Sequence, residues 1–386
     1  MNLSIIDRLT QLFTRSWGSP AFLVRSPGRI NLIGEHLDYN MGFVMPAAID
    51  KAIYLAMTPR ADDTIRLMAG DLQQTHTASL HQLSPVPLQW PDYLMGVADQ
   101  FLKAGYPIKG FDVALMGDVP LGAGLSSSAA VECAMAFSLN YAFDLGLDKL
   151  TMVQLAQKAE NQFVGVQCGI MDQFASMFGK QEQVIRLDCR SLAYTYLPFD
   201  TAGVDLVLLD TGVKHSLASS EYNLRRQECE AGVRLLQERY PSVHSLRDAS
   251  VELVAENLKT ADPVIYRRCR YITEEIQRVL SASEDLQKGS MQAFGRKMFQ
   301  THEGLSKDYQ VSCAEADFLV EKVAGITGVW GARMMGGGFG GCTLNLLEKG
   351  RAEELIATLQ PAYQEKFGKI LQAYPVNIDE GTSLIS

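Results

Sequence analysis

The chain has 386 residues, 47% hydrophobic and 20% charged, which is apolar material for two cores and too much chain for one ordinary domain. A formal net charge of −9, with no Lys or Arg run, argues against a nucleic-acid or anionic-membrane partner. Seven cysteines, odd in number and without paired spacing, read as reduced thiols of a cytoplasmic protein; the N-terminus lacks a basic start ahead of an apolar core, and no apolar run reaches membrane-spanning length.

Strand-like and helix-like blocks alternate along the chain, which predicts an α+β fold with mixed sheets. Strand patterns fall at Ala21–Val24, Val44–Met57, Thr64–Met68 and Phe111–Met116. An apolar run predicts a helix over Ala129–Phe143, and Thr151 with Gln154 makes a capping box ahead of Leu155–Phe163. Further strands are expected at Val184–Asp188 and Val204–Asp210; Pro198, Asp200 and Gly203 between them mark a division into 1–200 and 201–386. Asp262 and Pro263 open a helix that runs through Leu280. Cys342–Leu347 reads as a last strand.

Between the fourth of these strands and the first helix lies Pro-Leu-Gly-Ala-Gly-Leu-Ser-Ser-Ser-Ala-Ala, residues 120–130. A strand, a glycine loop and a helix in that order wrap a phosphate. Gly122 and Gly124 let the backbone turn tightly and bring its N–H groups to an anion. Ser126, Ser127 and Ser128 offer a helix N-cap and spare hydroxyls where the helix dipole is positive. The P-loop is excluded, because no lysine occurs between Asp118 and Asp148; the dinucleotide loop is excluded too, because Ser127 stands where its third glycine belongs. A tight connection without a ligand is the competing reading.

Arg29–Asn40 crowds Arg29, Glu35, His36 and Asp38 around Gly34. No second histidine or cysteine lies at ligand spacing, so a metal site would be short of groups. Acidic and amide groups beside a glycine also suit a polyhydroxylated ligand, whose hydroxyls need donors and acceptors in fixed directions. Gly331–Cys342 contains a formal Gly-x-Gly-x-x-Gly, but the strand that follows it denies the dinucleotide geometry. Met334, Met335 and Phe339 within that run point to packing rather than to a free loop.

In this order and spacing the three motifs resemble those of the GHMP small-molecule kinases, and their flanks narrow the resemblance to galactokinases. Gly28–Asn40 is similar to the sugar signature, Pro120–Ala129 to the ATP loop and Gly331–Cys342 to the third motif. Ala159–Asn161 with Cys168–Gln173, Ser220–Asn223 with Arg225 and Arg226, and His302 with Asp308–Tyr309 agree with it. Two departures stand out: Leu37 where many galactokinases carry threonine, and Met335 where threonine is frequent.

The resemblance implies a two-domain GHMP kinase fold with the active site between the domains, and phosphorylation of galactose by ATP at the C1 hydroxyl as the first committed step of galactose use. It nominates Asp172 as general base and Arg29 as its partner facing the transferring phosphoryl group. Sugar contacts carried over are Glu35, His36, Asp38, Gly169, Asp172 and Tyr222. The loop Gly122, Ala123, Gly124, Leu125, Ser126, Ser127 and Ser128 would hold the nucleotide. Mg²⁺ keeps most of its waters, so Ser128 and Glu160 suffice as protein ligands. Glu132, one turn beyond Ser128, is the rival to Glu160. A kinase for N-acetylgalactosamine or another sugar is the alternative enzyme, and a galactose- and ATP-sensing regulator the alternative binding module; such sensors lack the Ser-Ala pair that is intact here as Ser128-Ala129. The expected partners are galactose and ATP, with no nucleic acid or membrane, and the expected unit is a monomer.

Overall fold

The computed structural model describes residues 1–87, 89–120, 122–213 and 218–385; Leu121 of the phosphate-loop motif lies outside them. The first strands are β1 (Phe22–Asn31), β2 (Phe43–Val44), β3 (Pro46–Pro59), β4 (Thr64–Ala69), β5 (Gln74–Ser79) and β6 (Phe111–Gly117). Then come β7 (Gln183–Asp188), β8 (Tyr194–Pro198), β9 (Val204–Asp210), β10 (Val329–Met334), β11 (Cys342–Glu348), β12 (Gln372–Val376) and β13 (Ser383–Ile385). Together with the helices they make the α+β fold that the alternating blocks predict.

A six-stranded mixed sheet has the order β13-β1-β3-β6-β4-β5, with only β4 and β6 running parallel. Alternation along β3 shows how it is sandwiched. Ile53, Leu55 and Met57 join the main core beneath the helix Ser127–Ala142, whereas Ala52, Tyr54 and Ala56 pack against Ile5, Leu9 and Phe13 of the N-terminal helix. A four-stranded sheet, β10-β11-β9-β12, carries the helices Ala314–Val323 and Ala352–Phe367 on one face through Val207, Leu209 and Leu347. Leu206, Leu208 and Leu344 of the same strands point into the main core. β2, β7 and β8 form a third small sheet.

Several boundaries differ from the sequence expectation for local reasons. β1 does not end at Val24 but continues through Pro27 and Gly28, because a register shift between Pro27 and Arg29 absorbs the missing donor and side chain. That bulge also re-aims Arg29. The predicted strand Val44–Met57 is two strands in two sheets, separated at Met45, where the chain crosses from the small sheet to the large one. The expected capping box at Thr151 is absent: Asp148 is the cap, its carboxylate accepting from the Thr151 N–H at 2.7 Å, and the helix spans Lys149–Ala159 before a π-helical turn over Glu160–Val164. Asp262 caps its helix as expected, which runs on to Gln287.

Candidate active site

Three loops meet over the end of β1. Gly28 has no Cβ, and one placed there would lie 2.7 Å from the Leu125 carbonyl, so the phosphate loop can cross directly over the strand. The Arg29 N–H donates to that same carbonyl at 3.1 Å. Gly122 and Gly124 take φ of 79° and 76°, the left-handed turns that an L side chain resists. On the far side Gly336 comes close to Gly124, so the glycine-rich third motif packs against the phosphate loop.

The three serines divide their work differently from expectation. Ser126 stands at the cap position with φ of 54° and makes no cap hydrogen bond; its hydroxyl goes to the Asp172 carboxylate instead. Asp172, in the first turn of the helix Met171–Phe178, also receives both prongs of Arg29, Nε to Oδ1 at 2.8 Å and Nη2 to Oδ2 at 2.8 Å. Arg29 Nη1 donates to the Gly124 carbonyl at 2.7 Å, which ties this ion pair to the phosphate loop. Burial disfavours a charged Arg29, but Asp172, Glu35 and Asp38 outweigh it and raise the guanidinium pKa.

A cavity of about 320 Å³ opens beside this pair, lined by Arg29, Glu35, His36, Asp38, Asp172 and Tyr222, with Glu160, Val166, Cys168, Met171 and Gly336–Gly338 completing the wall. Glu35 is buried and saturated: Asn31 Nδ2 donates at 2.9 Å, the Gly336 N–H at 2.8 Å and Arg333 Nη2 at 3.0 Å. Burial alone would raise its pKa, yet Arg333 and Arg29 pull it below the ordinary value. His36 has its Nδ1 2.8 Å from the Tyr39 hydroxyl, which lies 2.8 Å from that of Tyr309. Burial pushes the His36 pKa down to about 4, so the ring is neutral at pH 7. Asp38 is the opposite case. Burial, then the nearby Asp172, push it up to about 7, and it carries its proton about half the time at neutral pH.

Gly169 does not line this cavity. It backs Asp38 closely, since a Cβ there would collide with the Asp38 carboxylate, and it lines an adjoining cavity instead. The glycine therefore makes room for Asp38. Leu37 is fully buried and lines neither cavity. Met335 is buried too, its backbone N–H donating to the Cys342 carbonyl at 3.0 Å, so these two departures from the motif are filled by packing.

Glu132 and Glu160, the rival metal ligands, lie on one amide. Gln173 Nε2 donates to Glu132 Oε2 at 2.9 Å and to Glu160 Oε2 at 2.6 Å. Glu160 also accepts from the Ser128 hydroxyl and from Cys168 Sγ, the latter at 3.3 Å. Burial raises the pKa of both acids, Glu132 well above its ordinary value; Glu160 and Asp172 add to the rise at Glu132, and Asp172 adds to that at Glu160. Among the described residues no three or more His, Cys, Asp and Glu form a ready metal site. What is present nonetheless fits a hydrated Mg²⁺: oxygen donors, two acids that a cation would help to ionise, and Glu132 Oε1 buried with no partner.

A third cavity, of about 310 Å³, borders the phosphate loop and is lined by Ile53, Trp90, Tyr93, Leu115, Ser128 and Val131 among others. The Trp90 Nε1–H at its rim is buried without an acceptor.

Models of known families match three parts of the chain: the galactokinase galactose-binding signature over 11–59, the GHMP kinases N terminal domain over 92–180 and the GHMP kinases C terminal over 282–365. The chain is 40% identical over 378 residues to a galactokinase of Roseiflexus sp., covering 98% of this chain and 96% of the relative. It belongs to the galactokinase family of GHMP kinases. A Thermotoga neapolitana galactokinase is likewise 40% identical, over 94% of this chain and 99% of its own. The crystal structure of Lactococcus lactis galactokinase complexed with galactose superposes with a TM-score of 0.93 at 32% identity, covering 98% of this chain and 99% of that one. Methanococcus jannaschii mevalonate kinase, at 16% identity and a TM-score of 0.65, shares the fold.

Within this galactokinase framework, sequence reasoning missed two residues. Arg333 is wholly buried and donates to the Leu32 and Met334 carbonyls, each at 2.9 Å, as well as to Glu35 and the Asn31 carbonyl. An arginine inside an otherwise apolar strand that enters a glycine run was the available signal. Gln173 offered no comparable one.

Proposed function

We propose that this protein, working as a cytoplasmic monomer, transfers the γ-phosphoryl group of ATP to the C1 hydroxyl of galactose, giving galactose 1-phosphate and ADP. One observation carries the reading: Asp172 sits on the wall of a hexose-sized cavity that also presents Glu35, His36 and Asp38, clamped by Arg29, which itself holds the loop Gly122–Ser128. Seven free cysteines favour a reducing compartment. The division near residue 200 belongs to the same proposal, with Arg29, Glu35 and Asp172 supplied from before it and Tyr222 and Gly336–Gly338 from after.

Phosphoryl transfer passes through a loose transition state, so the protein mainly positions reactants and neutralises charge. Asp172 Oδ1 accepts one hydrogen bond from Arg29 and retains a lone pair for the C1 hydroxyl, whose proton it takes as the P–O bond forms. Arg29 uses three of its five N–H groups on Asp172 and Gly124, leaving two for phosphoryl oxygens. Glu35, His36, Asp38 and Tyr222 supply the mixture of acceptors and donors that the remaining sugar hydroxyls require. Gly169 acts behind Asp38. The apolar cavity with Trp90 and Tyr93 suits the adenine ring, and the Trp90 N–H awaits an acceptor on that base. The loop Gly122–Ser128 would hold the phosphates. Ser128 and Glu160 would hold Mg²⁺, which when bound shields phosphate charge.

The test measures ATP consumption across galactose, glucose and N-acetylgalactosamine, with Asp172→Asn in parallel. Galactose should turn over and glucose should be roughly ten- to a hundredfold poorer, the cost of one mismatched buried hydroxyl. Asp172→Asn should lower kcat by at least about 10²-fold while calorimetry still detects galactose. Equal turnover of glucose, or near-normal kcat in the variant, overturns the specificity or the base.

A further inference from the structure

We infer that Gln173 is a positioning residue, a neutral clamp that fixes the metal-side carboxylates beside Asp172 without cancelling their charge, with Glu132 as its anchor. The inference rests on the functional reading above. Gln173 is wholly buried and follows Asp172 directly on the helix Met171–Phe178. Its backbone is held as well, since its carbonyl accepts from Cys133 Sγ at 3.3 Å. The side chain is thus fixed at both ends, with one N–H for Glu132 and one for Glu160.

Glu160 needs such a holder. It opens the π-helical turn Glu160–Val164, and besides the Ser128 hydroxyl its partners are a thiol at 3.3 Å and the amide at 2.6 Å, the closer of the two. The choice of an amide is chemically telling. A lysine or arginine at this position would hold both carboxylates but would neutralise them and repel a divalent cation. A methionine would fill the space and leave two acids facing each other. An amide alone donates twice and adds no charge. Glu132 Oε1 and Gln173 Oε1 are both buried without a partner, so the cluster keeps acceptor capacity in reserve for a proton or a cation. Because Gln173 and Asp172 are adjacent on a rigid helix, the clamp also sets the metal side at a fixed distance from the base. Removing such outer partners of a metal ligand typically costs 10–100-fold in metal affinity.

The experiment uses the full chain and Mn²⁺ as probe, with free Mn²⁺ read by electron paramagnetic resonance in the presence of ATP. Gln173→Met should weaken Mn²⁺ binding about 10–100-fold and raise the Mg²⁺ needed for half-maximal rate in step, leaving galactose affinity by calorimetry unchanged. A purely structural role predicts the reverse, lowered thermal stability with the metal dependence of the folded fraction intact, and overturns the inference. If Gln173→Met does not fold, Gln173→Asn keeps a neutral donor too short to reach both acids; unchanged Mn²⁺ binding in that variant is equally fatal. Glu160→Gln separates the two levels of argument. Weakened binding there with none in Gln173→Met removes the clamp alone, whereas intact binding in Glu160→Gln removes the metal assignment and the clamp with it.

Discussion

Glu35 and Glu132 are both buried glutamates within one active site, at 2% and 0% exposure, yet the protein treats them in opposite ways. Around Glu35 it spends two arginines, an asparagine and a backbone N–H, and the carboxyl becomes a stronger acid than usual. Around Glu132 it supplies one shared amide, leaves an oxygen without a partner, and the carboxyl becomes a much weaker acid. The first arrangement is complete as folded and lines the cavity beside Asp172. The second lacks positive charge, which is what a site awaiting a cation looks like.

The sharpest way to break this contrast is to remove the charge partner from the complete side. Arg333→Met leaves Glu35 buried beside one distant arginine, and unfolding in urea should show a loss of about 3–5 kcal/mol, the usual cost of stranding a buried charge. Adding Glu35→Gln should return part of it. Glu132→Gln on the other side should cost little or even stabilise, because the amide keeps an acceptor for Gln173 and stays neutral without having to bind a proton. Comparable losses for Arg333→Met and Glu132→Gln would erase the distinction.

Asp38 sits between the two regimes and makes the contrast dependent on pH. Its carboxyl is raised from the ordinary 3.8 to about 7, so the fold favours the protonated form. Stability from this group is fully present below about pH 4 and is lost as pH rises toward 7. Asp38→Asn removes the ionisation, so the variant should gain on wild type by on the order of 3 kcal/mol between pH 5 and pH 8. His36, whose lowered pKa works in the opposite direction, is present in both proteins and cancels in the difference. Denaturant melts at the two pH values check the slope, and calorimetry should show weaker galactose binding by the variant. A pH-independent difference would place Asp38 in a more solvated setting than the cavity wall.

Local patterns carried most of the fold, and pairing across the chain carried the site. Strands such as Val204–Asp210 and the helix start at Asp262 were legible because alternation and capping act within a few residues. The Arg29 and Asp172 pair spans 143 residues and was reached only through the resemblance, since neither side chain is unusual in its own segment. Gln173 was invisible for the same reason, whereas Arg333 stood out only as an arginine inside an apolar strand. The bulge at Pro27, the return of β13 to pair with β1, and the crossing at Met45 are tertiary solutions that override local signals. Three consecutive serines likewise look interchangeable in sequence. Only the fold shows that one of them turns away from the helix end.

That serine yields the smallest and most discriminating effect. As a cap, Ser126 would stabilise the helix Ser127–Ala142, and replacing it with alanine would cost roughly 0.5–2 kcal/mol in stability with little effect on rate. As observed, it caps nothing and holds the Asp172 carboxylate, so Ser126→Ala should leave the helix end unaffected and lower kcat by at least about tenfold, the lower end of the worth of one hydrogen bond to a charged group. Ser126→Gly divides the readings further. At φ of 54° a serine is strained, and glycine relieves that strain, so this variant should be more stable than wild type by roughly 1 kcal/mol. Its kcat should fall at least as far as that of Ser126→Ala. Stability and rate would then move in opposite directions at one residue, which marks backbone strain retained for the sake of the base. A Ser126→Gly protein that is both less stable and slower would return Ser126 to the role of an ordinary helix cap.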